Sequence, residues 1–104
     1  MHYDADEADA PTRLKAALAD TPIDLLLANA GARGASGQAL GNIHVDGVLD
    51  LIRINALAPL KLLEALIHNL TLSERRLVAF QSSQMGSIGN NQGGDHYDYR
   101  LSKV

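Results

Sequence analysis

The sequence predicts an α/β fold in which a parallel sheet is covered by helices. Two short runs, IDLLLANAG and RRLVAFQSS, are almost continuously apolar before they reach small or polar residues. Such runs are typical of strands that are buried on both faces, as strands of parallel sheets are. Segments with helical periodicity come before, between and after these runs, and this alternation indicates a parallel sheet with helical connections.

The first helix is predicted from about Asp9 to Asp20, because Pro11 lies in its first turn and apolar residues follow at helical spacing. The first strand comes next and ends in the sequence Asn29-Ala30-Gly31. The segment GARGASGQALGN then contains four glycines and no periodicity, which predicts a loop.

A long helix is predicted from Val45 to about Leu70, and its apolar character almost all round predicts that it is buried. Pro59 lies inside this helix and has no N–H group to donate. The carbonyl group of Asn55 therefore loses its partner, and the helix kinks. Two interpretations of Asn55 remain open. Either the kink is tolerated and Asn55 bonds to a neighbouring loop, or the freed carbonyl holds a water molecule in a proton path.

The last predicted helix begins in HYDYRLSKV, after the second strand and a second glycine-rich loop. It places Tyr99 and Lys103, four residues apart, on one helical face. An ammonium group beside a phenol lowers the phenol's pKa, which suits an acid/base pair, whereas the simpler interpretation is a surface pair. Ligands of parallel sheets bind beyond the carboxyl ends of the strands. We therefore expect this helix, Asn29-Ala30-Gly31 and Ser82-Ser83 at one edge.

Composition limits the classes of protein that the chain can represent. At 104 residues it is expected to form at most one small domain, with 46% hydrophobic and 20% charged residues. The net charge of −3 argues against a nucleic acid or an anionic membrane as partner. The chain has no cysteine, which excludes disulfides and agrees with a cytoplasmic location. Charged residues interrupt the longest apolar region, and the histidines lack metal-ligand spacing, so neither a membrane span nor a metal site is predicted.

Four segments resemble, in this order, motifs of the short-chain dehydrogenase/reductase family: LANAG, RINALAPLKLLEAL, FQSSQMGSIG and YRLSK. The resemblance runs from about Tyr3 to Val104 and looks closest to the C-factor or sniffer-like carbonyl reductase branch. It implies part of a Rossmann-type, doubly wound parallel sheet. It also implies an NAD(P)-dependent oxidoreductase that transfers hydride between the cofactor and a small carbonyl or alcohol substrate. The choice between NAD and NADP stays open, and a homo-oligomer through the helix Val45–Leu70 is implied.

The resemblance further implies a role for each candidate residue. Tyr99 exchanges a proton with the substrate oxygen, and Lys103 lowers the pKa of Tyr99 and bonds the nicotinamide ribose. Ser83, placed by the Ser-x-x-Gly step, holds the carbonyl oxygen, and Asn55 holds the water that links Lys103 to solvent. The residues implied to bind the cofactor are Asp4, which meets the adenine ring, Asn29, Ala30, Gly31, Tyr99 and Lys103.

The family's glycine-rich phosphate loop, Gly-x-x-x-Gly-x-Gly, does not occur in the sequence, and GARGASG follows the wrong strand to replace it. We therefore expect residues 1–104 to be a partial NAD(P)-binding domain that lacks the first βαβ unit and the C-terminal strands, and that is inactive alone. One alternative is an inactive fragment that acts as a binding or interaction module. A serine hydrolase using Ser83 and His96 is weaker, because no Gly-x-Ser-x-Gly elbow surrounds Ser83.

Overall fold

The computed structural model describes residues 2–34 and 39–104, so residues 35–38 of the first predicted loop lie outside the described part. The regular elements are α1 (Ala10–Leu18), β1 (Leu25–Ala28), α2 (Val45–Ile52), α3 (Ala58–Thr71), β2 (Leu77–Phe80) and α4 (Tyr97–Lys103). A π turn, Arg53–Leu57, separates α2 from α3, and a 3₁₀ turn, Gln84–Gly86, follows β2. The predicted alternation of helices and strands is confirmed.

The chain divides into two compact units. The sheet unit consists of Met1–Ala30 and Ala58–Gln81 and contains α1, β1, α3 and β2. The helix unit consists of Gly31–Leu57 and Ser82–Val104 and contains α2, α4 and the two short turns. All four candidate catalytic residues belong to the helix unit: Asn55, Ser83, Tyr99 and Lys103.

In the sheet unit, β1 and β2 form a parallel pair in which Leu25 lies opposite Leu77 and Ala28 lies opposite Phe80. Parallel strands need a crossover connection, and the chain between these two contains α2, the π turn and α3. The predicted α/β fold with a parallel sheet is therefore confirmed.

Apolar side chains from β1 and α3 form the core of the sheet unit. Leu26, Leu66 and Leu70 are buried against one another. Five partly buried residues pack around them: Leu14, Leu18, Ile23, Leu62 and Leu63. Burying a leucine of this kind contributes about 1.5–3 kcal/mol, so this cluster is what holds α1 and α3 on the sheet.

The prediction that both strands are buried on both faces is wrong. In β1, Leu26 and Ala28 are buried, whereas Leu25 and Leu27 are 55% and 56% exposed. Every residue of β2 is exposed, including Phe80 at 50%. Alternate side chains of a strand point to opposite faces, and α3 packs on only one face of β1. An apolar strand therefore stays exposed where no described element covers it.

The prediction of one long helix that is buried all round is also wrong. The helical segment is divided into α2, the π turn and α3, and the interruption comes directly before Pro59, as the missing N–H group predicts. Apolar side chains on both helices are largely exposed, such as Val45 at 67% and Leu60 at 57%. Among the described residues, no helix has the length and apolar character needed to cross a membrane.

In the helix unit, α2 packs against α4, which begins at Tyr97 as predicted. Leu51 of α2 is buried, and Asp98 and Ser102 are the buried residues of α4. The residue before α4, His96, has a left-handed backbone with φ of 55°. Most of the buried side chains in this unit are therefore polar, which makes their hydrogen bonds decisive for its structure.

Candidate active site

Asn55 lies in the π turn and is 7% exposed. Its Oδ1 atom accepts a hydrogen bond from the backbone N–H of Ala32 at 2.8 Å, and its Nδ2 atom donates to the carbonyl oxygen of Ala32 at 2.7 Å. The side-chain amide thus pairs with the loop backbone as a second peptide group would. The sequence left two interpretations of Asn55 open. For the side chain, these bonds agree with the one in which Asn55 bonds to a neighbouring loop.

A second bond joins Asn55 to α4. Its Nδ2 atom also donates to Ser102 Oγ at 2.9 Å, and that hydroxyl donates to the carbonyl oxygen of Tyr99 at 2.7 Å. Ser102 is itself 5% exposed. Ser102 was not among the residues predicted from the sequence, because a serine inside a helix carries no local signal of such a bond.

Tyr99 and Lys103 lie near each other on α4, as their spacing predicts. The Lys103 Nζ atom is 6.0 Å from the centroid of the Tyr99 ring. A second cation, which sequence reasoning missed, lies closer, because the guanidinium carbon of Arg33 is 5.3 Å from the same centroid. Arg33 belongs to a glycine-rich loop without periodicity, so only the folded chain identifies it.

Gly31 lies where Asn55 and Lys103 both come close to the loop backbone. A Cβ atom at position 31 would lie 3.2 Å from Asn55 Oδ1 and 3.3 Å from Lys103 Nζ. Because glycine has no side chain, the space bordered by the Asn55 amide oxygen and the Lys103 ammonium group stays open. The structure therefore brings together three of the predicted site residues, Gly31, Asn55 and Lys103.

The serine segment packs against the end of α4. Ser83 is half-buried, and its Oγ atom accepts a hydrogen bond from the Met85 N–H at 3.2 Å, which caps the 3₁₀ turn. Ser82 Oγ donates to the carbonyl oxygen of Lys103 at 3.2 Å. A Cβ atom on Gly86 would lie 2.5 Å from that same carbonyl oxygen. The Ser-x-x-Gly step therefore needs its glycine so that this loop can approach α4.

Asp98 is a further buried polar residue that the sequence analysis did not single out. It is 1% exposed, and its Oδ1 atom accepts from the Tyr99 N–H at 2.7 Å. Its Oδ2 atom has no hydrogen-bond partner among the described residues. Gly34, with φ of 74°, packs beside it, because a Cβ there would lie 2.9 Å from Oδ2. The loop after Gly31 and the first turn of α4 are thus in close contact.

The other predicted cofactor residues lie in the sheet unit. Asn29 and Ala30 follow β1 directly and are exposed. Asp4 is exposed, and its Oδ1 atom accepts a hydrogen bond from the Asp6 N–H at 2.9 Å. Their role at a cofactor stays a prediction.

A cavity of about 270 Å³ lies beside α4 in the helix unit. Its apolar lining comes from the segment after Ser83 and from one side of α4: Met85, Ile88, Tyr97, Leu101 and Val104. Arg100 also lines it. Neither Tyr99 nor Lys103 does, so the cavity alone identifies no substrate.

Comparisons with known proteins agree with the predicted resemblance. No family model matches the chain. The chain is 39% identical over 83 residues to C-signal of Myxococcus xanthus. This match covers 80% of this chain and 49% of C-signal. It is 38% identical over 65 residues to 1-hydroxy-2-glutathionyl-2-methyl-3-butene dehydrogenase of Rhodococcus sp. (strain AD45), which covers 62% of this chain and 28% of that enzyme. The matched part is therefore at most about half of these relatives.

Solved structures give the same result. A short-chain dehydrogenase/reductase from Burkholderia multivorans with bound NADP has a TM-score of 0.79 and 29% identity, and covers 96% of this chain and 43% of that protein. A carbonyl reductase from Pseudomonas aeruginosa PAO1 in complex with NADP has a TM-score of 0.78 and 31% identity, with coverages of 99% and 46%. The carbonyl reductase Sniffer of D. melanogaster has a TM-score of 0.87 and 26% identity, with coverages of 99% and 47%. The resemblance of this chain to the short-chain dehydrogenase/reductase family, with carbonyl reductases among its matches, is confirmed.

Proposed function

We propose that this chain carries the catalytic segment of an NAD(P)-dependent oxidoreductase that interconverts a carbonyl compound and an alcohol, with Tyr99 as the acid/base. The observation that carries the proposal is the joint placement of Tyr99, Lys103 and Asn55. Two of them share a face of α4, and the third is bonded to that helix through Ser102. The similarity to carbonyl reductases and to a dehydrogenase supports the reaction class.

The residues around Gly31 fit a nicotinamide cofactor. An ammonium group and an amide oxygen border the same glycine, which gives a donor and an acceptor suited to ribose hydroxyls. The nicotinamide supplies or accepts the hydride when it is bound. Asn29, Ala30 and Asp4 are likewise proposed to bind the cofactor. Similar structures with bound NADP support a nicotinamide cofactor, and the proposal leaves the choice between NAD and NADP open.

Each catalytic side chain then has a defined task. The Tyr99 hydroxyl passes a proton to or takes one from the substrate oxygen. Lys103 and Arg33 place positive charge near its ring, which stabilises negative charge that develops on the phenol oxygen. Ser83 Oγ already accepts the Met85 N–H, so its own hydrogen is available to hold the substrate oxygen. Asn55 supports Lys103 from the π turn.

The substrate in this proposal is a small carbonyl compound or alcohol, and the protein acts as a homo-oligomer. Exposed apolar side chains of α2, the π turn and α3 support such an assembly, among them Val45, Leu49, Leu57 and Leu60. The alternative of an inactive interaction module is not favoured, because the matches are to reductases and dehydrogenases.

A hydride-transfer assay on the protein that carries this chain tests the proposal. NADPH and NADH are offered with a panel of aldehydes and ketones, and nicotinamide absorbance is followed. We expect carbonyl-dependent oxidation of one cofactor and its loss in Lys103→Met. The matched control is Lys61→Met, which removes an exposed lysine paired with Glu64 and leaves the rate unchanged. No oxidation with any carbonyl class, or equal rates in the two variants, would refute the function.

A further inference from the structure

Ser102 is the only described residue whose side chain bonds both to Asn55 and to the backbone of Tyr99. The directions of these bonds are fixed by the available hydrogens. The single Ser102 hydroxyl hydrogen goes to the Tyr99 carbonyl, so Ser102 Oγ acts as an acceptor toward Asn55.

The hydrogen bonds of the Asn55 side chain show why it needs Ser102 Oγ as an acceptor. One Nδ2 hydrogen goes to the Ala32 carbonyl and the other to Ser102, while Oδ1 takes the Ala32 N–H. Both hydrogens are used, and the opposite orientation of the amide would lose both bonds to Ala32. Removing the Ser102 hydroxyl leaves one hydrogen of a buried amide without an acceptor, which is costly in a site that is 7% exposed.

We propose that Ser102 is a positioning residue for the reaction. Its hydroxyl fixes the Asn55 amide relative to α4, and through that amide it holds the Lys103 ammonium in place. The link is geometric, because Asn55 Oδ1 and Lys103 Nζ lie 3.2 Å and 3.3 Å from the Cβ position of Gly31. An amide that tilts toward that point enters the space that the ammonium borders. The expected effect on catalysis rests on the proposed function, whereas the hydrogen bonds are observed independently of that function.

If the Ser102 hydroxyl served only its local bond within α4, removing it should affect the reaction no more than removing a comparable hydroxyl elsewhere. Serine and threonine in helices commonly bond to the carbonyl three or four residues back. Thr71 does this in α3, where its Oγ1 atom donates to the His68 carbonyl at 2.7 Å, the same length as the bond from Ser102 to Tyr99. Thr71 is exposed and no second bond to its hydroxyl is observed among the described residues. Thr71→Val is therefore the matched control for Ser102→Ala.

A double-mutant cycle in the hydride-transfer assay tests the proposal. We expect Ser102→Ala to lower kcat about tenfold, with KM for the cofactor changed less than about twofold. In the Asn55→Ala background, Ser102→Ala should cause no further loss, because Ser102 acts through Asn55. Thr71→Val should leave kcat unchanged. The proposal would be overturned if Ser102→Ala lowered kcat by the same factor in the parent and in the Asn55→Ala background.

A second measurement does not depend on turnover. In the ¹⁵N-labelled protein, the side-chain NH₂ resonances of Asn55 should shift in Ser102→Ala and stay unchanged in Thr71→Val. If Ser102→Ala does not fold, Ser102→Cys keeps the size of the side chain with weaker hydrogen bonding and should show a smaller shift. Unchanged resonances in a folded Ser102 variant would overturn the proposal. If the protein transfers no hydride at all, the proposed function fails while this measurement still decides the positioning.

Discussion

The two units of the chain are stabilised in different ways. In the sheet unit the buried residues are mainly apolar, and Leu26, Leu66 and Leu70 form a shared cluster. In the helix unit Leu51 is accompanied by three buried polar residues, Asn55, Asp98 and Ser102. An apolar core responds mainly to lost volume, whereas a buried polar network responds to each lost donor or acceptor.

This difference supports the proposal that the helix unit is the part of the chain that carries the chemistry. The three leucines of the apolar cluster can be replaced by other apolar residues of similar volume without changing what a unit does. The helix unit instead fixes an amide, a hydroxyl and a carboxylate in specific directions, and two glycines, Gly31 and Gly86, allow close approach to Lys103. The hydrogen bonds of Asn55 and Ser102 are directional, so this arrangement specifies a geometry and not only a stable fold.

The largest expected effect is on turnover, in the helix unit. Tyr99→Phe keeps the ring that Arg33 and Lys103 approach but removes the hydroxyl. We expect kcat to fall by about 10²–10⁴-fold, the usual contribution of a positioned acid or base, with cofactor affinity little changed. Tyr97→Phe is the matched control, since Tyr97 lies in the same helix and lines the separate cavity. Turnover of Tyr99→Phe within tenfold of the parent would remove Tyr99 from the catalytic role.

In the sheet unit, the largest effect should follow from lost volume. Leu66→Ala removes a leucine that is 3% exposed from the centre of the apolar cluster. We expect the free energy of unfolding, measured by urea titration, to fall by about 2–4 kcal/mol. Leu60→Ala in the same helix is the control, because Leu60 is 57% exposed and should cost far less. Equal costs would mean that the cluster is not the core of this unit.

Close approach in the helix unit is tested by Gly86→Ala. The new Cβ atom would lie 2.5 Å from the Lys103 carbonyl oxygen, so the backbone of the serine segment or of α4 has to move. Overpacking of this kind costs about 1–3 kcal/mol of unfolding free energy, measured again in urea. Nothing lies within 4 Å of the Cβ position of Gly93, which makes Gly93→Ala the control. The explanation of the Ser-x-x-Gly step fails if both alanines are tolerated alike.

The smallest effect on stability is expected at the π turn. Pro59→Ala supplies the backbone N–H that position 59 lacks, so the preceding turn can become regular α-helix and unfolding free energy should rise by about 1 kcal/mol. The Asn55 side chain would then leave its place opposite Ala32, and kcat should fall although stability rises. A structure of the variant that keeps the π turn Arg53–Leu57 would show that the proline does not cause it.

The order of elements could be predicted from the sequence because periodicity and proline positions act locally. The helix at Ala10–Leu18, the interruption before Pro59 and the start of α4 all follow from such local signals. Burial could not be predicted in the same way. The side chains of β2 are as apolar as those of a buried strand, but their exposure depends on which elements pack against them.

The candidate site shows the same limit. Asn55 was identifiable from Pro59 and from the resemblance, and Tyr99 with Lys103 from their spacing. Ser102 and Arg33 were not, because a serine in a helix and an arginine in a loop are ordinary surface residues until the chain folds. The buried carboxylate of Asp98 was missed for the same reason, since only packing beside Gly34 identifies it.

The pairing of the Asn55 amide with Ala32 has a consequence for the kinetics of proton exchange with solvent. The Ala32 N–H lies in a glycine-rich loop, outside any helix or strand, and such amides normally exchange rapidly. The buried Asn55 Oδ1 atom accepts this N–H, with 2.8 Å between nitrogen and oxygen, so exchange of the proton requires the π turn and the loop to separate. The rate at Ala32 therefore reports the opening of the candidate site, and neighbouring amides of the loop that lack such a partner provide the internal reference.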